Sequence, residues 1–181
     1  WNGCSTGGRQ ALKEVQTFPG DFDGVIAGDP ANPRTRLASW QLWLAQAALK
    51  EPSSYIPPSK YPMIHQAVLA ACDAIDGLKD GLIDDPTQCK FDPRVLQCKS
   101  EDGPACLTAS QVDTARKVMS PARNSRTGAE IFPGYEPGTE LGWGNLVAGP
   151  EAHGNAVDQF KYLVFKDTNW DWKTFDLDRD A

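Results

Sequence analysis

Gly3-Cys4-Ser5-Thr6-Gly7 fits the pattern G-x-S-x-G, and a further glycine, Gly8, follows it. That spacing has a chemical use. A serine on a strained strand-to-helix turn presents its hydroxyl outward. Small residues two before and two after it relieve the crowding the turn creates. The helix that follows aims its dipole and its free N–H groups at the site, where they favour a developing oxyanion. Ser5 is then a nucleophile for acyl transfer, and the Thr6 backbone N–H is one oxyanion donor. The alternative is an ordinary Gly-rich turn before a helix. A phosphate loop of the form G-x-x-x-x-G-K-[ST] would need a Lys that this stretch does not contain.

A serine nucleophile needs a base and an orienting acid. His65 and His153 are the two histidines of the chain. His65 sits among apolar neighbours on a predicted helix and reads as structural. His153 falls in Pro150-Glu151-Ala152-His153-Gly154, near a predicted helix start. Hydrolases built on such a turn order their triad serine, acid, histidine, with the last two after later strands. The pattern predicts no such strand after residue 31, so both partners are expected beyond Ala181. Cys4 precedes the apex and points elsewhere. It reads better as a disulfide partner than as a rival nucleophile.

A second group of chemical interest lies at Asp73, Asp76, Asp80, Asp84 and Asp85, five carboxylates in thirteen residues opposed by Lys79 alone. Like charges so close together repel unless a cation neutralises them. Gly77 and Gly81 let the backbone turn its carbonyls inward, and a hard cation with six to eight oxygen ligands suits such a loop. The spacing is not that of an EF-hand. A solvated acidic turn remains the alternative. Cys72 and Cys89 flank the loop and would hold it if bridged.

The elements that must position these groups fall into two textures. Over 1–31 the pattern is α/β: a Gly-rich turn from Gly3 to Gly8, a helix over Arg9 to Phe18 stopped by Pro19-Gly20, and a buried parallel strand over Phe22 to Ala27 closed by Gly28-Asp29-Pro30. From 32 to 181 the chain reads as helical and loop-rich. Helices are predicted over Thr35–Lys50, with Leu37, Trp40, Leu44, Ala47 and Ala48 on one face, and over Lys60–Ala71. Thr108 and Gln111 form a capping box for a helix to Met119, and a further helix is predicted near Ala152–Val164. Ser120–Thr127 reads as an exposed loop.

The 181 residues suit one domain or slightly more, and 40% hydrophobic content is enough for a core. A formal charge of −6, with no basic stripe, argues against nucleic acid as a partner. No apolar run approaches the ~20 residues of a membrane span, so no membrane role is expected. The chain opens at Trp1 beside a structured motif and is expected to be an internal segment of a longer protein. Five cysteines, four of them within 35 residues, suggest local disulfides and an oxidising compartment, with Cys4 left over. Reduced thiols or metal ligation are the alternatives.

Gly3-Cys4-Ser5-Thr6-Gly7-Gly8-Arg9-Gln10 and Asp21-Phe22-Asp23-Gly24-Val25-Ile26-Ala27-Gly28-Asp29-Pro30-Ala31 resemble the tannase and feruloyl esterase family. So do the loop from Cys72 to Pro86 and the tail Asn169-Trp170-Asp171-Trp172 to Phe175-Asp176. The resemblance implies an α/β-hydrolase fragment over 1–31 (nucleophile elbow, helix and one strand), followed over 32–181 by a disulfide-containing lid. It implies Ser5 as nucleophile, with the triad Asp and His outside the chain. It implies Ca2+ held by the side chains of Asp73, Asp76 and Asp80 and the carbonyls of Leu78 and Leu82. It implies disulfides Cys72–Cys89 and Cys98–Cys106, and Cys4 bridged to a cysteine outside the chain. The implied substrate is a small aromatic ester or a feruloylated or galloylated plant-derived one. Monoesters released from an aromatic polyester are also hydrolysed within the family. The location implied is secreted or periplasmic. Trp40, Trp43, Tyr55, Phe132, Tyr135 and Trp143 are candidates for an aromatic-lined pocket, though at least half are expected to be core packing. A non-catalytic, calcium-stabilised secreted module, with Gly3 to Gly7 a plain turn, is the competing function.

Overall fold

The computed structural model of the chain describes residues 1–146 and 149–181 and divides into two compact units, Trp1–Leu37 and Ala38–Ala181. The first unit is built from β1 (Asn2–Ser5), α1 (Thr6–Thr17) and β2 (Ile26–Pro30), with β1 and β2 paired in parallel. Parallel neighbours need a crossover, and α1 is that crossover. The helix begins at Thr6, directly after the strand, rather than at Arg9. It ends at Phe18, whose N–H donates to Glu14 O at 2.7 Å, because Pro19 offers no N–H to continue it.

The second strand starts four residues later than the apolar run Phe22–Ala27 suggested. Phe22 turns aside, its ring edge-on to Trp1 at 5.7 Å, and the ladder starts only where Ile26 N–H donates to Trp1 O. Nor is the strand buried: it has no fully buried residue, and Ile26 is 65% exposed. Two strands and one helix cover only part of a sheet's surface. What they do pack is close. Gly8 and Ala11 are the buried residues of α1. A Cβ on Gly8 would lie 2.6 Å from Gly28 O and 3.1 Å from the Pro30 Cα, so helix and strand backbones meet there.

In the second unit, α2 (Arg34–Leu49) crosses the division and is buried over most of its length after Leu37. The stripe read from the sequence widens, since Ser39, Gln41, Leu42 and Ala45 are buried beside Trp40, Leu44 and Ala48. Next comes α3 (Tyr61–Cys72), with Pro62 in its first turn and Tyr61, Ile64, Val68 and Cys72 turned inward at helical spacing. α4 (Ala109–Val118) carries the expected capping box. Gln111 N–H donates to Thr108 Oγ1 at 3.2 Å, and Thr108 N–H donates to Gln111 Oε1 at 3.1 Å.

The stretch read as a loop at Ser120–Thr127 instead opens a small antiparallel pair, β3 (Ala122–Arg123) and β4 (Glu130–Phe132). Strands this short leave no alternation to read. Arg123 bonds Glu130 across them at 2.8 Å. α5 (Trp143–Leu146) and α6 (Gly154–Asp158) follow. The chain then continues as a π-helix to Val164 and later as α7 (Leu177–Asp180).

Ala38, Leu42, Ala156, Phe160 and Phe175 form a buried cluster, with Trp170 and Trp172 packed on it. Gln46 Nε2 clamps the tail by donating to the carbonyls of Trp172, Lys173 and Phe175. Disulfides join Cys72 to Cys89 and Cys98 to Cys106, the pairing the resemblance implied, while Cys4 is unbonded and exposed. No described helix is long and apolar enough to cross a membrane.

The packing of α1 makes a paired prediction. Gly8→Ala should destabilise by about 1–3 kcal/mol, because backbone atoms stand where the methyl must go. Gly7→Ala, whose Cβ meets nothing within 4 Å, should be neutral or stabilise by up to about 1 kcal/mol. Urea unfolding midpoints of the two variants check this, and equal midpoints would contradict the described helix–strand contact.

Candidate active site

Ser5 is the last residue of β1 and the N-cap of α1, and it is exposed. Its backbone stands at φ 55° and ψ −113°. A serine N-cap ordinarily sits in the extended region and spends its hydroxyl on the N–H of the second or third helical residue. Ser5 does neither: its φ is positive and its side chain makes no capping bond. Holding an L-residue there costs on the order of 1–3 kcal/mol and persists only where the surroundings impose it. Ala31 N–H fixes the Ser5 carbonyl at 3.1 Å.

The expected crowding falls on one side of the turn. A Cβ on Gly3 would come within 2.7 Å of the Gly7 carbonyl carbon, whereas a Cβ on Gly7 would point into open space. Gly8, not Gly7, is the second position where a side chain has no room. Thr6 opens α1, so its N–H has no carbonyl one turn behind and is among the helix's free donors. No acidic residue stands in the first turn of α1 to cancel the positive end of its dipole. Cys4, one residue earlier in the strand, faces the other way. Its Sγ lies 2.8 Å from where a Cβ on Gly28 would stand, so Gly28 makes room for it.

The flank of α1 is basic. A cleft of about 420 Å³ is lined by Arg9, Gln10, Lys13, Glu14 and Asn32 among others, and Ser5 is not one of its lining residues. Burial, and then the neighbouring Arg9 guanidinium, pulls Arg34 below the usual arginine range.

The two histidines lie in the second unit. His65 Nδ1 is 2.8 Å from Glu140 Oε2, and the Glu140 side chain is wholly buried. The other Glu140 oxygen accepts from Gly138 N–H at 2.9 Å. This pair spans 75 residues, and no local pattern announced it. His153 is the N-cap of α6, its carbonyl accepting from Ala156 and Val157 N–H.

In the acidic loop, Asp73 is 5% exposed, and its Oδ1 accepts from the N–H groups of Asp80 and Gly81. Asp76 and Asp80 each accept from the N–H two residues on, at Leu78 and Leu82. Gly77 at φ 96° and Gly81 at φ 86° make the bends. Leu78 and Leu82 expose their side chains. Among the described residues, no three His, Cys, Asp or Glu side chains converge as metal ligands. The donor chemistry nonetheless suits a hard cation: oxygen donors throughout, and a buried Asp73 carboxylate that no ion pair among the described residues neutralises. The Cys72–Cys89 disulfide ties the ends of this loop together.

Of the aromatic candidates, Trp40 and Trp143 are buried. Trp40 packs on Phe132 and Tyr135 with ring centroids 5.1 and 5.0 Å away, and Trp143 packs on Tyr61. Trp43 and Tyr55 are half-buried.

Residues 1–168 match the family model described as tannase and feruloyl esterase. A curated relative from Aspergillus terreus, named "Probable feruloyl esterase B-1", is 39% identical over 97% of this chain and 34% of its own length. An uncharacterized esterase of Xanthomonas campestris is 41% identical over 92% of this chain and 30% of its own length. The crystal structure of feruloyl esterase B from Aspergillus oryzae is 36% identical and superposes with a TM-score of 0.88, covering 97% of this chain and 36% of that one. The chain thus spans about a third of the length of the curated relatives it matches. On the family model and these identities, the chain belongs to the tannase and feruloyl esterase family.

Proposed function

We propose that this chain carries the nucleophile of a carboxylic ester hydrolase acting on aromatic acid esters of feruloyl or galloyl type. One observation carries the reading: Ser5 stands exposed at a strand-to-helix turn, in a backbone conformation that an ordinary turn does not require. Family membership supports ester hydrolysis. Ser5 Oγ attacks the ester carbonyl carbon and passes its proton to a base. The alcohol leaves with a proton, and an acyl-enzyme remains. Water then attacks that carbonyl, releasing the aromatic acid and restoring the Ser5 hydroxyl. The Thr6 N–H, at the positive end of the α1 dipole, holds the oxyanion in both steps.

The remaining parts belong to the same proposal. Residues 1–31 contribute to an α/β-hydrolase core and 32–181 to a lid. The triad Asp and His, and the partner of Cys4, come from outside this segment, in keeping with relatives about three times its length. The two disulfides favour a secreted or periplasmic location. Ca2+ in the acidic loop would be held by the carboxylates of Asp73, Asp76 and Asp80 and the carbonyls of Leu78 and Leu82, neutralising the loop's charge.

In the intact enzyme, Ser5→Ala should abolish turnover of a hydroxycinnamate or gallate methyl ester and leave the circular dichroism spectrum unchanged. Retained turnover would remove Ser5 from the mechanism. A chelator should lower the melting temperature, since an ion bound only to the folded state stabilises it by mass action. The Asp76→Ala, Asp80→Ala double variant should lose that response. A melt indifferent to chelator would reduce the loop to a plain acidic turn.

A further inference from the structure

The parallel ladder slips beside the elbow. Cys4 stands opposite Gly28 and Ser5 opposite Pro30, so Asp29 is the extra residue of a bulge. Asp29 also has a positive φ, 38°, in a region that Asp, Asn and Gly enter more readily than other residues. Two residues with unusual backbones, Ser5 and Asp29, therefore sit side by side at the C-terminal ends of neighbouring strands. Bulges beside active sites commonly re-aim a side chain.

We propose that Asp29 is a positioning residue for Ser5, acting through its backbone and not through its carboxylate. This rests on the reading of Ser5 as the nucleophile. The bulge takes one residue out of register, which brings Ala31 N–H onto Ser5 O at 3.1 Å. A regular strand would put Asp29 opposite Ser5 and carry Ala31 about 3.3 Å further along. The bulge also shapes what α1 rests on. The atoms crowding Gly8 are Gly28 O and the Pro30 Cα, one on each side of Asp29. Both the carbonyl of Ser5 and the first turn of the helix behind it are thus fixed by segments that Asp29 bends into place. A residue unable to hold a positive φ there pulls the ladder straight and turns the hydroxyl off its line of attack.

The test is a series at one position in the intact enzyme: Asp29→Asn, Asp29→Gly, Asp29→Ala and Asp29→Val, with Ser5→Ala alongside. The substrate is a hydroxycinnamate methyl ester, and rates are scaled to the folded fraction by near-UV circular dichroism. Asn and Gly should keep kcat within about twofold, since both tolerate the conformation. Val should lose about tenfold or more in kcat with KM little changed, as expected of a displaced nucleophile. Ala should fall between. Wild-type kcat in Asp29→Val overturns the proposal. So does a loss in Asp29→Gly as large as in Asp29→Val, which would assign the role to the carboxylate. If the Val variant fails to fold, Ala against Gly decides: Ala below Gly supports the proposal, and Ala equal to Gly overturns it. Activity surviving in Ser5→Ala would overturn the nucleophile reading itself.

Discussion

The backbone reversal at Ser5 is the constraint on which the first unit depends. A positive φ at a residue with a Cβ is unfavourable by itself, on the order of 1–3 kcal/mol. Something must hold it. The parallel ladder fixes the residues before it, the bond from Ala31 fixes its carbonyl, and α1 fixes the residues after it. Gly3 and Gly8 are where these pieces come too close for a side chain. Their two hydrogen-for-methyl choices allow strand, turn and helix to close on a serine whose hydroxyl is not spent on capping its own helix.

The second unit solves a different problem. Much of it is irregular, and irregular chain buries little apolar surface per residue. Covalent and polar ties replace sheet. The Cys72–Cys89 disulfide closes the acidic loop and Cys98–Cys106 closes the next. Buried Lys60 bonds Asp102 at 2.6 Å and Gln111 at 2.9 Å, linking the start of α3 to the capping box of α4. The His65–Glu140 pair and the Gln46 clamp on the tail do the same over longer spans of sequence. Lys60, Glu140 and Gln46 thus each have partners that offset their lost hydration, the condition under which such groups stabilise rather than cost.

What the sequence discloses follows the range of the interaction. α2, α3 and the capping box of α4 are local patterns, and their bounds read within a residue or two. The elbow motif is local too: G-x-S-x-G followed by a predicted helix and strand marks Ser5 as the candidate nucleophile. The strand was harder. Phe22 and Val25 look like ladder residues by apolarity, yet Phe22 leaves the ladder to meet Trp1, a contact no period encodes. The β3–β4 pair is too short to alternate. Glu140 and Asp29 were missed for opposite reasons. Glu140 finds His65 across the chain, and Asp29 hides in Gly-Asp-Pro, which reads as the end of a strand rather than as a bulge within it.

The most direct test of the central claim is covalent. The intact enzyme is mixed with a hydroxycinnamate ester or a serine-directed phosphonate, quenched in acid, digested and examined by mass spectrometry. With Ser5 as the nucleophile, the added acyl or phosphonyl mass falls on the N-terminal peptide of this segment, at Ser5. An adduct at another residue, with Ser5 unmodified, would contradict it.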